Sequence, residues 1–187
     1  MGLQQDALAT LVAKDEIREL ALLYSRAADR RDIALMRSLY TDDATDNHGD
    51  LFSGTADEFA AFIEANMSGM SYTGHHICNH LISIDGDDEA HGEAYALAYH
   101  VVLGEDGAVG ELVMAVRYLD HYRRVDERWR FAKRHVMFDY QTYRPIEWAG
   151  QAPIPGRDPS YTMLTGALFA AGPRGGADRF SAAAGSR

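Results

Sequence analysis

Cysteine is nearly absent from this chain of 187 residues: Cys78 stands alone. That excludes an internal disulfide and is the usage expected of a reducing, cytoplasmic setting. Long apolar runs are absent too. No stretch approaches the roughly 18 residues of a membrane-spanning helix, and the N-terminus has no apolar signal core. Basic charge is in deficit, with 18 Lys and Arg against 28 Asp and Glu and a net charge of −10. This balance argues against a nucleic-acid partner and against an anionic membrane surface. There is no Walker loop, Rossmann glycine pattern, HExxH or paired CxxC. No cofactor is therefore expected, and any chemistry has to be carried by side chains.

What remains is an ordinary globular composition, 47% apolar and 25% charged, with length for one domain, one sizeable core and a tail. Ile17, Leu20, Tyr24 and Ala27 follow the rhythm of one helix face. Asp32 is placed to cap a short second helix holding Leu35, Met36 and Leu39. Thr55 to Glu58 has capping-box spacing ahead of a third helix with Phe59, Phe62, Ile63 and Met67 on its apolar stripe. The pattern then changes to strands: His75 to Ile84, about Ala90 to Leu103, a third with Leu112, Met114, Val116, Tyr118 and Tyr122 alternating, and Trp129 to Tyr143. Turn clusters at Asp85–Asp88, Gly104–Gly107 and Val125–Arg128 separate them. Three helices followed by an antiparallel meander predict an α+β domain over residues 1–145, its helices packed on one face of a curved sheet. From Pro145 the composition shifts. Pro145, Pro153, Pro155 and Pro159 disfavour helix and strand, so residues 146–187 are expected to form an extension. Its first part is expected to lie over the pocket as a lid anchored by Trp148, and the part from about Gly172 to have no fixed structure.

Five polar residues stand in otherwise apolar surroundings: Tyr24, Asp29, His75, His100 and Arg134. An Asp beside a His makes an oriented general base, and an Arg nearby can hold a developing anion. Asp29 shares its helical line with Leu22 and Ser25 rather than with Tyr24, as a surface acid would. An acid near a helix C-terminus is mildly unfavourable, however, which points to another reason for it. In the second strand Ala94, Ala96, Ala98 and His100 share one face, so small groups there leave room for an organic ligand. Ala96, Ala98, Met114, Tyr118, Phe138 and Trp148 are the expected substrate contacts. Arg134 shares parity with Val136, Phe138 and Tyr140, and Trp129 and Phe131 have the opposite parity. A bulge near Ala132 or Lys133 is needed to turn both sets inward. His76, Cys78 and His80 have chelating two-residue spacing on one strand face, but no fourth ligand is near and no metal is expected. Arg117 and Asp120 read as surface or cross-strand pairs, and Asp42, Asp43, Asp46 and His48 as a solvated loop.

Tyr24-Ser25-Arg26-Ala27-Ala28-Asp29, Thr73-Gly74-His75, Arg117-Tyr118-Leu119-Asp120 and Trp129-Arg130-Phe131-Ala132-Lys133-Arg134 together resemble the SnoaL-like families of the nuclear-transport-factor-like superfamily. The resemblance covers about residues 5–145 and implies a cone of three helices against a curved antiparallel sheet. Tyr24, Arg26 and Asp29 match the Tyr-x-Arg-x-x-Asp motif of bile-acid dehydratases. Asp29, His75 and His100 match the Asp and two histidines of scytalone dehydratase. The context of Arg134 is similar to the last strand of hexachlorocyclohexane dehydrochlorinase, whose lysine near the start is replaced here by Tyr24. The resemblance implies a cofactor-independent lyase, most simply a dehydratase, acting on a compact, mostly apolar polyketide, aromatic or steroid-like alcohol. An isomerase or cyclase would share the first proton abstraction. A non-catalytic subunit, such as the small subunit of a ring-hydroxylating dioxygenase, would share only the cone. Self-association as a homodimer or homotrimer through the outer face of the sheet is implied by the same analogy.

Overall fold

The computed structural model describes residues 2–104, 107–147, 153, 154 and 156–174. Helix α1 (Gly2–Asp29) turns Ile17, Leu20, Ala21, Tyr24 and Ala27 into the core. It ends in a left-handed residue, Arg31 at φ 56°. The Asp32 amide returns to the Ala27 carbonyl at 2.9 Å and that of Arg31 to Ala28 at 3.2 Å, the paired bonds of a Schellman stop made here without glycine. Asp32 then caps α2 (Ile33–Ser38) by accepting from the Leu35 amide at 3.0 Å. Thr55 and Glu58 form the reciprocal capping box of α3 (Ala56–Asn66).

Six strands make one sheet. They are β1 (Tyr40–Asn47), β2 (Ser53–Thr55), β3 (Met70–Ile84), β4 (Glu89–Leu103), β5 (Val109–Val125) and β6 (Arg128–Pro145), in the order β2-β1-β6-β5-β4-β3. The long meander β3 to β6 is antiparallel, as its alternation requires. The β5–β6 hairpin turns on Asp126 and Glu127 at φ 50° and 60°, the sign a two-residue hairpin loop demands.

The α+β architecture is the expected one, with a correction. The stretch holding Asp42, Asp43 and Asp46 is not a solvated loop but strand β1, which runs parallel to β6 with Asp46 opposite Arg134. Its inward positions include Ala44 and Asp46, so a polar side chain lies where an apolar one marks most strands.

The inner face is divided between two clusters. Ile17, Leu20, Tyr24, Ala27, Leu35, Met36, Tyr40, Phe59, Tyr122, Trp129 and Phe131 belong to the larger one, between helices and sheet. Ala94, Ala96, Ala98, Met114, Val116, Tyr118 and Val136 form the second. The bulge expected near Ala132 is present: Lys133 pairs with His121 and Phe131 with Tyr122, leaving Ala132 as the extra residue. It is what lets Trp129 and Phe131 face inward together with Arg134 and Val136. No helix among the described residues is long and apolar enough to cross a membrane.

Candidate active site

The last turn of α1 meets the start of β3. Asp29 Oδ1 lies 2.7 Å from His75 Nδ1, and Asp29 Oδ2 accepts the His75 backbone amide at 3.1 Å. A carboxylate has no proton to give, so Nδ1 is the donor and Nε2 is left bare. Both side chains remain partly open, at 20% and 13% exposure. The two bonds supply the compensation that an acid at the negative end of a helix needs. The helical line of Asp29 is thus no obstacle, because the site faces β3 rather than the neighbours of Tyr24.

His100, on β4, puts its ring 5.3 Å from that of His75 at 64°. Its Nε2 is buried and has no hydrogen-bond partner among the described residues. Burial first, then the neighbouring His75, push its imidazole down to about 4. It is therefore neutral at neutral pH.

Arg134 is 1% exposed and is not free to act alone. Its Nε and Nη2 donate to the two oxygens of Asp120, both at 2.8 Å, directly across the β5–β6 ladder. Burial opposes the guanidinium charge, but Asp120 overrides that and holds the group well above its ordinary value. The guanidinium lies over the rings of Phe131, Tyr24 and Tyr118 at 4.0, 4.3 and 4.3 Å, so aromatic faces share the charge with the carboxylate. Only Nη1 has no hydrogen-bond acceptor among the described residues. Asp120 also accepts from the Tyr122 hydroxyl at 2.9 Å, which in turn is 3.1 Å from His80 Nε2. Of the surface and cross-strand readings of Asp120, the cross-strand pair is the one present, and it is buried. Burial chiefly, and then Asp46, raise the Tyr24 phenol well above its usual value, so it stays protonated and keeps a proton to donate.

Asp29 of the dyad lines a cleft of about 550 Å³ together with Arg30, Tyr72, Thr73, Pro153, Ile154, Arg157, Asp158 and Pro159. One wall is therefore contributed by the C-terminal extension. That segment is tied down by Arg26, which donates to Ser160 Oγ at 2.9 Å and to the Phe169 carbonyl at 3.1 Å. Gly172 and Arg174 are placed rather than free: their amides donate to Asp32 Oδ2 at 2.8 Å and Ser38 Oγ at 3.0 Å. Trp148 and Pro155 lie outside the described residues.

Residues 9–135 match the family described as the SnoaL-like domain. The chain belongs to that family. Among solved structures, a candidate scytalone dehydratase from Novosphingobium aromaticivorans is 23% identical, with a TM-score of 0.67 over 81% of this chain and 99% of that one. Hexachlorocyclohexane dehydrochlorinase type 3 from Novosphingobium barchaimii is 20% identical, with a TM-score of 0.65 over 79% and 99%. A candidate aromatic ring hydroxylase from Novosphingobium aromaticivorans is 21% identical, with a TM-score of 0.63 over 73% and 94%. At these identities the likeness establishes the shared fold. No curated protein matches the chain.

Within this SnoaL-like domain the remaining predicted residues divide. Ala96, Ala98, Met114 and Tyr118 face inward beside one another in the second cluster, whereas Phe138 is 36% exposed. His76, Cys78 and His80 do not share a face. A bulge falls between Ile77 and His80, so His76 and Cys78 are exposed while His80 turns in to Tyr122. Among the described residues no group of three or more His, Cys, Asp or Glu could hold a metal ion. Arg117 bonds Asp139 at 2.7 Å and Glu93 at 2.9 Å on the outer face.

Sequence reasoning missed one arrangement. Asp46 is 1% exposed, accepts the Tyr40 hydroxyl on Oδ2 at 2.6 Å and meets His48 Nδ1 with Oδ1 at 2.6 Å. The period-two spacing of Ala44, Asp46 and His48 was the signal available. The flanking Asp42, Asp43 and Asp50 obscured it.

Proposed function

We propose that this protein is a cofactor-independent lyase, dehydratase-like, acting on a small and mostly apolar alcohol bearing a carbonyl group. The observation that carries this is the Asp29–His75 pair, whose carboxylate also lines an open cleft. Nε2 of His75 would take a proton from the carbon next to the carbonyl. Asp29 would fix the tautomer and stabilise the imidazolium that forms. The protonated Tyr24 phenol and Nη1 of Arg134 would serve as donors to the enolate oxygen. General-base help of this kind contributes about 10²–10⁴-fold.

The scytalone dehydratase and dehydrochlorinase names carried by structural neighbours accord with an elimination. Isomerisation or cyclisation would begin with the same abstraction. A non-catalytic role like that of a hydroxylase subunit leaves the dyad without a use. On the outer sheet face Tyr95, Leu97, Leu119 and Met137 are exposed, and we propose a second copy of the chain as their cover.

Deuterium uptake from heavy water at the α-carbon of benzylacetone, read by NMR, tests the base. The wild-type protein is expected to catalyse uptake, and a folded His75→Ala variant to lose it. Undiminished uptake by that variant would remove this reading. A thermal-shift screen of aromatic and steroid-like ketones extends the test to ligand class, because a bound ligand stabilises the native state by mass action.

A further inference from the structure

We propose that the cleft lined by Asp29 takes an aromatic ketone that also carries a carboxylate, its carbonyl end turned to His75 and its carboxylate held by Arg157. The proposal rests on the lyase reading and names the substrate class for it.

Asp29, Arg30, Arg157 and Asp158 line the cleft together, and three of the four are committed to neighbours. Asp29 bonds the ring and the main-chain amide of His75. Arg30 Nε donates to Ser160 Oγ at 3.2 Å and stands 3.4 Å from Asp158 Oδ1. That same oxygen accepts the Ser160 amide at 2.9 Å. Arg157 is exposed, and its guanidinium has no hydrogen bond or ion pair among the described residues. Carboxylates are in excess in this chain, 28 Asp and Glu against 18 Lys and Arg, so partners for a guanidinium are plentiful. One left single on a cleft wall is open to a ligand, and its planar fork matches a carboxylate.

The main chain puts Arg157 in place. Its amide donates to the Ile154 carbonyl at 3.0 Å, and Gly156 at φ 73° supplies the positive dihedral that the third position of a type II turn requires. The extension carrying it is tied to α1 through Arg26. Asp29 and Arg157 thus stand on different walls, one at the end of α1 and the other on the extension. The first repels an anion and the second attracts one. Together they orient a ligand with its charged end away from the general base.

The rest of the lining includes Tyr72, Pro153, Ile154 and Pro159. A methyl group placed on Gly74 would stand 2.5 Å from the Tyr72 hydroxyl oxygen and 3.0 Å from its Cζ. The Tyr72 ring therefore lies across β3 where residue 74 has no side chain, one position before His75. That gives the glycine of Thr73-Gly74-His75 a use, because it leaves room for an aromatic ring on the cleft wall. A tyrosine ring with prolines and an isoleucine suits a flat, apolar body between the two polar ends of the ligand.

Two ketones test the charge alone: the para-carboxylate of benzylacetone and the matching para-carboxamide. Isothermal titration reads the affinity of each, and NMR reads deuterium uptake at their α-carbons. The wild-type protein is expected to bind the carboxylate at least about 10-fold more tightly than the carboxamide, with a ratio that shrinks as salt is raised. In Arg157→Gln the ratio should fall to near one. Arg157→Lys should retain part of it, since lysine keeps the charge without the fork. A guanidinium serving only the fold would shift both affinities alike and leave the ratio in place. Equal affinities in the wild type, a ratio that survives Arg157→Gln, or binding of neither compound overturns the proposal. Preferential, Arg157-dependent binding supports the anion site; if neither ketone then takes up deuterium, it is the lyase reading that fails.

Discussion

Asp29 holds His75 at two points, by the ring at 2.7 Å and by the main-chain amide at 3.1 Å. One carboxylate therefore fixes both the position of the strand and the tautomer of the imidazole. This double attachment predicts that Asp29→Asn damages function out of proportion to its size. An amide in place of the carboxylate can neither stabilise the imidazolium nor hold both bonds. α-Proton exchange by this variant should fall by about 10²–10⁴-fold, while its circular dichroism stays native.

Acid should weaken the fold through His100. In the native state its proton affinity is depressed to about 4, against about 6.5 in an unfolded chain. Above about 6.5 both states are neutral, and the residue adds no pH dependence. Between those two values the unfolded chain binds a proton that the folded one refuses, so stability drops as pH falls and levels off near 4. The loss amounts to at most about 3 kcal/mol. In His100→Asn the slope of stability with pH across that window should flatten, as measured by urea unfolding at several pH values.

Arg134 and Asp120 should behave as a unit. Removing the acid alone, as in Asp120→Ala, leaves a guanidinium at 1% exposure without its carboxylate. That should cost about 3–5 kcal/mol in chemical denaturation. The double variant Asp120→Leu with Arg134→Leu should lose less than the sum of the two single changes, since neither charge is stranded.

The C-terminal wall of the cleft should depend on Arg26. Its guanidinium bonds Ser160 and the Phe169 carbonyl and lies 4.9 Å from the ring centroid of Tyr161. In Arg26→Ala, limited proteolysis should cut within residues 153–174 much faster than in the wild type, while the thermal midpoint of the domain shifts little.

The chain shows much of this in its pattern. Helix caps at Asp32 and Thr55, the alternation of β3 to β6 and even the bulge at Ala132 follow from local rules of spacing. Two features needed more than local rules. β1 carries the carboxylate of Asp46 on the inward side, so its polarity reads as a loop until the burial of Asp46 is seen. The bulge between Ile77 and His80 breaks the period of two that makes His76, Cys78 and His80 look like a chelating face. Arg134 is an intermediate case. Its parity showed that it needed a partner, but only the ladder register identifies Asp120 as that partner.

The account depends most on which nitrogen of His75 is bare. Nitrogen-15 NMR of the histidine rings in mildly alkaline solution measures that directly. The predicted result is a protonated Nδ1 and a bare Nε2 at His75, giving way to mixed tautomers in Asp29→Asn. A His75 ring protonated at Nε2, unaffected by Asp29→Asn, would contradict the account.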